Sequence, residues 1–168
     1  MNDTDTESAR RRALARLDAL VGAWTEQVNL PGVPAGRMSF QWTLDRQFLL
    51  QRSEIPNPDF PNSVAIIALA ADGVGYTLHY FDSRGVVRTY AMTLDERTWT
   101  LLRDRPDFTP LHFAQRFTGT FATGGNTIIA AWETSDDGEH WHKDFDLTYT
   151  PIPRTRGPAA GHERNDTP

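Results

Sequence analysis

The spacing of apolar residues changes once along this chain, near Gly22. Between residues 7 and 21, apolar side chains recur every three or four positions, which predicts an amphipathic helix over roughly Glu7–Val21. Its apolar stripe consists of Ala13, Leu14, Leu17, Leu20 and Val21. Thr4 and Glu7 have the spacing of a capping box, and Gly22 is a typical helix stop. Because so short a helix is unstable alone, we expect its stripe to dock on the rest of the protein.

After Gly22 the hydrophobic pattern changes to a period of two residues. Met38, Phe40 and Trp42 alternate with polar residues, as in a strand that is buried on one face. Turn sequences such as Asp136-Asp137-Gly138 separate ten such segments. The predicted strands are Gly22–Asn29, Gly36–Asp45, Gln47–Ile55, Ser63–Ala71, Gly75–Asp82, Val86–Leu94, Thr98–Asp104, Leu111–Phe121, Asn126–Thr134 and His140–Thr150. No helical pattern interrupts them, so hairpins should join them into an antiparallel sheet.

Ten hairpin-linked strands with one apolar face need either a second sheet or closure into a barrel. Closure removes both exposed edges, so we predict an all-β, antiparallel up-and-down β-barrel of about ten strands, closed at one end by the short N-terminal helix. The predicted boundaries are a disordered N-terminus over residues 1–6, the barrel domain with its helix over 7–152, and a disordered tail over 153–168. Pro, Gly and charged residues dominate that tail.

Composition narrows the classes of function. The 168 residues suit one domain, and the absence of cysteine excludes disulfides and thiolate chemistry. A net charge of −5 without a long basic run argues against nucleic-acid binding. No stretch approaches the ~20 apolar residues of a membrane span. The polar, acidic N-terminus has no signal-peptide pattern, so a cytoplasmic location is expected.

The run Leu20-Val21-Gly22-Ala23-Trp24, placed after a short helix, resembles the Gly-x-Trp start of the calycins, which include lipocalins and fatty-acid-binding proteins. The hairpin order and the closing strand that contains Asp144–Tyr149 also resemble a bacterial branch of lipocalin-like barrels, over roughly Leu17–Tyr149. The resemblance implies that Trp24 packs at the closed end beneath a basic side chain, here Arg154 or Arg156.

The haem-binding nitrobindins are similar barrels, but their first strand usually has a further glycine after the Trp, which Gly22–Gln27 lacks. Haem therefore remains an alternative, and no cofactor is predicted. A haem iron held from inside the barrel would need one histidine. The candidates are His79, His112, His140 and His142.

Loop length predicts which end of the barrel is open. Short turns such as Asp45-Arg46 and Asp95-Glu96 lie at the end that the helix enters. Longer loops that contain proline gather at the other end, namely Leu30–Ala35, Pro56–Asn62 and Arg105–Pro110. Such a cluster is a usual ligand entrance. We therefore expect a mouth bearing Phe60, Phe108, His112, His140 and Trp141; the alternative is that these loops cover a filled barrel.

Several polar residues alternate with their neighbours so that they fall on the same strand face as apolar side chains. Arg52 aligns with Phe48 and Leu50, and Lys143 aligns with Trp141 and Phe145. Buried charges must either pair, as Arg52 with Glu54 would, or meet a ligand. The predicted function is binding of a small apolar or amphipathic molecule, its anionic group held by Arg52, Arg88 or Lys143; fatty-acid-binding proteins, which the chain resembles, use interior Arg and Tyr in this way. The predicted ligand-binding residues are Phe40, Trp42, Arg52, Arg88, Tyr90, Phe108, His112, Gln115, Trp141 and Lys143.

Other chemistries are weaker alternatives. His140, His142, Asp144 and Asp146 alternate along one strand and could in principle bind a metal ion. The opposite face of that strand is aromatic, so we expect the face with these four residues to point to solvent, and no metal site is predicted. No catalytic residues are assigned. An enzyme would use the mouth histidines with Asp59 or Glu139 as the acid and base. An accessory protein or homodimer would instead use an apolar patch at the mouth.

Overall fold

The protein is described by a computed structural model, which covers residues 3–71, 73–124 and 127–153. Helix α1 spans Asp3–Arg16 and continues as one tight 3₁₀ turn, Leu17–Ala19. The strands are β1 Gly22–Val28, β2 Gly36–Thr43, β3 Phe48–Glu54, β4 Ser63–Leu69, β5 Tyr76–Asp82, β6 Val87–Leu94, β7 Thr98–Arg103, β8 Ala114–Phe121, β9 Ile128–Ser135 and β10 His142–Pro151. Neither helical segment of the described ranges is long and apolar enough to cross a membrane.

The ten strands form one closed antiparallel barrel, as predicted. Each strand pairs with its neighbour in the chain, and β1 closes the ring by pairing with both β2 and β10. The helix begins at Asp3 rather than Glu7, so the expected boundary after residue 6 lies inside it. Residues 1–2 and nearly all of the predicted tail lie outside the described residues.

The helix seals the end of the barrel that carries the short turns, and this prediction is confirmed. Leu14, Leu17 and Leu20 of the apolar stripe are buried in the core. The Tyr76 hydroxyl donates to the Ala13 carbonyl at 2.6 Å, which fixes the helix above β5. Docking to the barrel thus supplies the stability that the isolated helix lacks.

Trp24 lies at the same closed end. Its indole is 5% exposed, and Nε1 donates to the Leu20 carbonyl at 2.8 Å. Trp24 pairs in register with Pro151, so the end of β10 lies beside it, as the even number of strands predicts. Arg154 and Arg156, which the resemblance places over this ring, lie outside the described residues.

Aromatic side chains fill the interior above the helix. Trp99 is 1% exposed, and its ring centroid lies 5.8 Å from Phe40, 4.6 Å from Phe117 and 6.2 Å from Tyr149. The rings are mainly edge-to-face, the arrangement that their quadrupoles favour. This cluster forms the floor on which the open half of the barrel rests.

Candidate ligand-binding cavity

Above the aromatic floor, the open half of the barrel encloses a cavity of about 400 Å³. The loop between β3 and β4 contributes Asp59, Phe60 and Pro61 to its rim, at the end predicted to be the mouth. Strand residues with inward parity form its walls. The aromatic residues of the lining are Phe60, Tyr80, Tyr90, Trp99, Phe113, Phe117, Trp132, Phe145 and Tyr149. Sixteen of the 26 lining residues are apolar or aromatic, and the other ten are polar or charged.

One polar group of the wall is built around Gln115. Its Oε1 accepts a hydrogen bond from Arg88 Nη1 at 2.5 Å and another from the Tyr90 hydroxyl at 3.0 Å. Arg88 and Tyr90 are alternate residues of β6, so both side chains point inward, and Gln115 reaches them from β8. The guanidinium of Arg88 is thus held in a defined orientation at the cavity wall.

Arg88 retains unused hydrogen-bonding capacity. Its Nε is buried and makes no hydrogen bond with the described residues. Its guanidinium carbon lies 5.7 Å from the centre of the Phe113 ring. A buried donor without a partner costs free energy, and a bound acceptor recovers that cost.

A second polar group lies across the barrel, because β1 and β6 are five positions apart in the ring of ten strands. Glu26 of β1 is 6% exposed. It accepts a hydrogen bond from Ser53 Oγ at 2.5 Å and another from the Tyr149 hydroxyl at 3.3 Å. Burial raises the pKa of the Glu26 carboxyl, although both hydrogen bonds act to lower it.

A third group at the rim is internally satisfied. The Tyr80 hydroxyl donates to Asp82 Oδ2 at 3.0 Å, and Arg84 Nη2 donates to the same oxygen at 2.7 Å. Burial and the Asp82 charge raise the pKa of the Tyr80 phenol, so it remains a neutral donor at physiological pH. The Asp82 carboxylate already neutralises Arg84, which makes this arginine a weaker anion ligand than Arg88.

The structure brings together three of the predicted ligand-binding residues. Arg88, Tyr90 and Gln115 line the cavity and contact one another. Phe40 also points inward, but it is 3% exposed and packs against Trp99 in the aromatic floor.

The predicted interior position of Arg52 is wrong. Arg52 and Glu54 are both exposed on the outer face of β3, so the alternative of an internal pair between them is wrong as well. Leu49, Gln51 and Ser53 occupy the inner face instead. Half-buried Phe48 and Leu50 make the outer parity of this strand look apolar in the sequence.

The predicted interior position of Lys143 is also wrong, because β10 contains a bulge. Lys143 pairs with Glu133 while Phe145 pairs with Trp132, so Asp144 is an extra residue in the register. Lys143 therefore points outward and forms an ion pair with Asp146 at 3.0 Å. Beyond a bulge, alternation counted along the sequence no longer identifies the inner face.

Two predicted aromatic ligands lie on the outside of the cavity. Trp42 stands at the closed end, where Nε1 donates to Asp18 Oδ1 at 2.7 Å and the Arg46 guanidinium lies 4.7 Å from its ring. Trp141 lies against the Arg116 guanidinium at 4.4 Å, on the outer face of the barrel. Both rings support structure near the ends of the strands.

The expected mouth residues divide between the cavity and the solvent. Phe60 lines the cavity, whereas Phe108 is 73% exposed and His112 is exposed. Phe113, the residue after His112, takes the inward position. His140 is also exposed, and its Nδ1 lies 2.7 Å from Asp137 Oδ2.

Histidine chemistry does not fit this cavity. Within the described ranges, neither the lining nor its rim contains a histidine, so the side chains present do not suit a haem iron held by imidazole inside the barrel. The part of the chain that the structure describes also contains no group of three or more His, Asp or Glu residues able to hold a metal ion.

Sequence reasoning missed the polar group on β1 and β3. Glu26 lies between Trp24 and Val28 on one parity, so an acidic residue among inward positions was a readable signal. Gln51 and Ser53 were missed because the face of β3 was assigned the wrong way round. Tyr149 alternates with Phe145 and Leu147, but no spacing in the sequence connects it to Glu26.

Comparison with known proteins finds no protein-family model that matches this sequence. It also finds no significant match among curated proteins. Functional inference therefore depends on the geometry of the cavity.

Proposed function

We propose that the barrel binds a small, mostly apolar molecule whose anionic or hydrogen-bond-accepting group lies against Arg88. The observation that carries this proposal is the buried Nε of Arg88, which has no partner among the described residues and lies at the wall of an aromatic cavity. We also infer that the protein belongs among the calycins. The Gly22-Ala23-Trp24 start and the helix that seals the closed end support that assignment.

The size and the lining of the cavity suit such a ligand. Its volume of about 400 Å³ lies within the range of roughly 300–1,000 Å³ for small-molecule sites. Burial of an apolar body against the aromatic walls supplies the main driving force. Gln115 orients Arg88 before the ligand arrives, which lowers the entropy lost on binding.

Two fluorescent probes of one shape test the proposal, anthracene-9-carboxylate and 9-anthracenemethanol. We expect wild-type protein to bind both and to bind the carboxylate about tenfold more tightly, since a charge-assisted hydrogen bond contributes about 1.5–3 kcal/mol. Arg88→Met should remove that preference while the alcohol still binds. Fluorescence titration measures both affinities.

The matched control is Arg52→Met, the same substitution at an exposed arginine of the outer face. It should leave both affinities unchanged. Equal weakening of the two probes by Arg88→Met would show that the arginine shapes the cavity without binding the carboxylate. Failure of wild-type protein to bind either probe would contradict the proposed function itself.

A further inference from the structure

Among the described residues, Glu26 is a buried acid without a basic partner. Its carboxyl lines the cavity and is 6% exposed, yet none of the ion pairs among the described residues includes it. Arg88, the cation to which the proposed function assigns the ligand, donates to Gln115 on the opposite wall. A buried carboxylate that lacks a counter-charge is costly unless a ligand supplies one.

The Glu26 carboxylate has more acceptor sites than its surroundings have hydrogen-bond donors. The hydroxyls of Ser53 and Tyr149 each donate one hydrogen bond, whereas two carboxylate oxygens have about four acceptor sites. Gln51, two residues before Ser53 on the inner face of β3, directs its Nε2 to Met38 Sδ at 3.6 Å. Its Oε1 is buried and has no partner among the described residues. This wall therefore calls for a group that carries several N–H donors.

Aromatic rings surround the tyrosine that donates to the same acid. Tyr149, which donates to Glu26, has its ring centroid 6.2 Å from Trp99 and 6.4 Å from Phe117. The electron-rich faces of such rings attract cations. A neutral donor satisfies the hydrogen bonds alone, whereas an ammonium also supplies the missing counter-charge and gains from the rings.

We propose that the ligand carries a basic nitrogen, which binds between the Glu26 carboxylate and the Gln51 carbonyl, across the cavity from Arg88. This inference rests on the proposed function, since it assumes that the cavity accepts a ligand. It makes that ligand amphoteric, with a basic nitrogen at the β1–β3 wall and an acceptor group at the β6–β8 wall. An apolar body joins the two groups.

The test compares 9-(aminomethyl)anthracene, a cation at neutral pH, with 9-anthracenemethanol, a neutral molecule of nearly the same shape. In wild-type protein we expect the ammonium probe to bind at least about tenfold more tightly. Glu26→Gln, which keeps the size of the side chain, should remove this preference and leave the affinity for the alcohol within about twofold. Fluorescence titration provides the affinities, and thermal unfolding checks that the variant folds.

The matched control is Glu54→Gln, because Glu54 is exposed on the outer face of the neighbouring part of the barrel. It should preserve the preference for the ammonium probe. Should Glu26→Gln fail to fold, the comparison of the two probes in wild-type protein still tests whether the ligand carries a basic nitrogen, because it requires no variant.

The outcomes separate this inference from the proposed function. If the carboxylate and alcohol probes bind while the ammonium probe binds no more tightly than the alcohol, the basic nitrogen is overturned and the cavity proposal stands. A preference for ammonium that survives in Glu26→Gln overturns the assignment to Glu26. If all three probes fail to bind wild-type protein, both proposals fail.

Discussion

Two arginines on adjacent strands, Arg103 of β7 and Arg88 of β6, differ in how completely the protein uses them. Arg103 is 3% exposed, and its Nε and Nη2 donate to the two Asp107 oxygens at 2.8 and 3.0 Å. The same Nη2 lies 3.1 Å from the Thr109 hydroxyl. Arg88 donates to Gln115, but its buried Nε has no hydrogen-bond partner among the described residues.

The difference separates an arginine that holds a loop from one that faces a cavity. Asp107 also accepts hydrogen bonds from the backbone N–H groups of Thr89 and Thr109, so the pair fastens the β7–β8 loop to β6. Arg103 has little capacity left for a ligand. Arg88 has an unused hydrogen-bond donor and lines the cavity, so of these two arginines we assign the binding role to Arg88.

The largest expected effect is on Arg103. Arg103→Met should lower the free energy of unfolding by about 3–5 kcal/mol, because it leaves the Asp107 carboxylate buried without its counter-charge. Urea unfolding of the variant and the wild type measures the difference. A loss below about 1 kcal/mol would place the pair among ordinary surface ion pairs and remove the contrast with Arg88.

The pH dependence of stability gives the next effect. Hydrogen bonds from Arg103 and the backbone hold the pKa of Asp107 well below its usual value of 3.8. The stabilisation is therefore complete above the ordinary pKa of Asp and is lost as the pH falls below it. We expect the free energy of unfolding to fall on acidification in wild-type protein and to fall less in Asp107→Asn. Urea midpoints between about pH 5 and pH 2 measure the two slopes, and parallel slopes would contradict the role of Asp107.

Glu26 responds to pH in the opposite direction. Burial raises the pKa of Glu26, so the folded protein binds this proton more tightly than the unfolded chain does, and stability is lost as the pH rises above the usual range for glutamate. The two buried carboxyls therefore differ as the two arginines do. Asp107 is paired with the positive charge of Arg103, whereas Glu26 has no counter-charge among the described residues.

Much of this architecture is readable in the sequence, since turn signals and period-two alternation predict the ten strands, the closure and the open end. Arg88 and Gln115 are also readable, because their strands keep a regular parity over the cavity. Lys143 is not, because the bulge at Asp144 shifts the register of β10 without any glycine or proline to mark it. Arg52 is misread because Phe48 makes the outer face of β3 look buried.

The partners of each polar group are the part that sequence patterns do not supply. Whether an inward arginine is saturated depends on a loop that folds back over it, as Asp107 does over Arg103. The pairing of Glu26 with Tyr149 joins residues 123 positions apart, and only the closure of β1 on β10 brings them together. The spacing of residues along the sequence does not predict such long-range contacts.

A third arginine, on the outer face of the barrel, shows what an exposed ion pair contributes in comparison with the buried one. Arg116 donates to both Glu133 oxygens, at 2.6 and 3.0 Å, and its side chain is 39% exposed. Arg116→Met should lower the free energy of unfolding by only about 1 kcal/mol, because water screens an exposed pair and solvates the glutamate that is left. Urea unfolding is again the measurement. A loss as large as that of Arg103→Met would show that burial is not what separates these arginines.

The smallest expected effect on stability is at Arg88, where the expected effect on binding is large. Arg88→Met should change the free energy of unfolding by less than about 0.5 kcal/mol, because an apolar side chain replaces a poorly satisfied charge among aromatic rings. Gln115 keeps its hydrogen bond from Tyr90, so no buried acceptor is abandoned. Urea unfolding measures this change beside the probe titrations. A loss of several kcal/mol would mean that Arg88, like Arg103, is saturated within the fold, and the case for a ligand at its Nε would lose its physical basis.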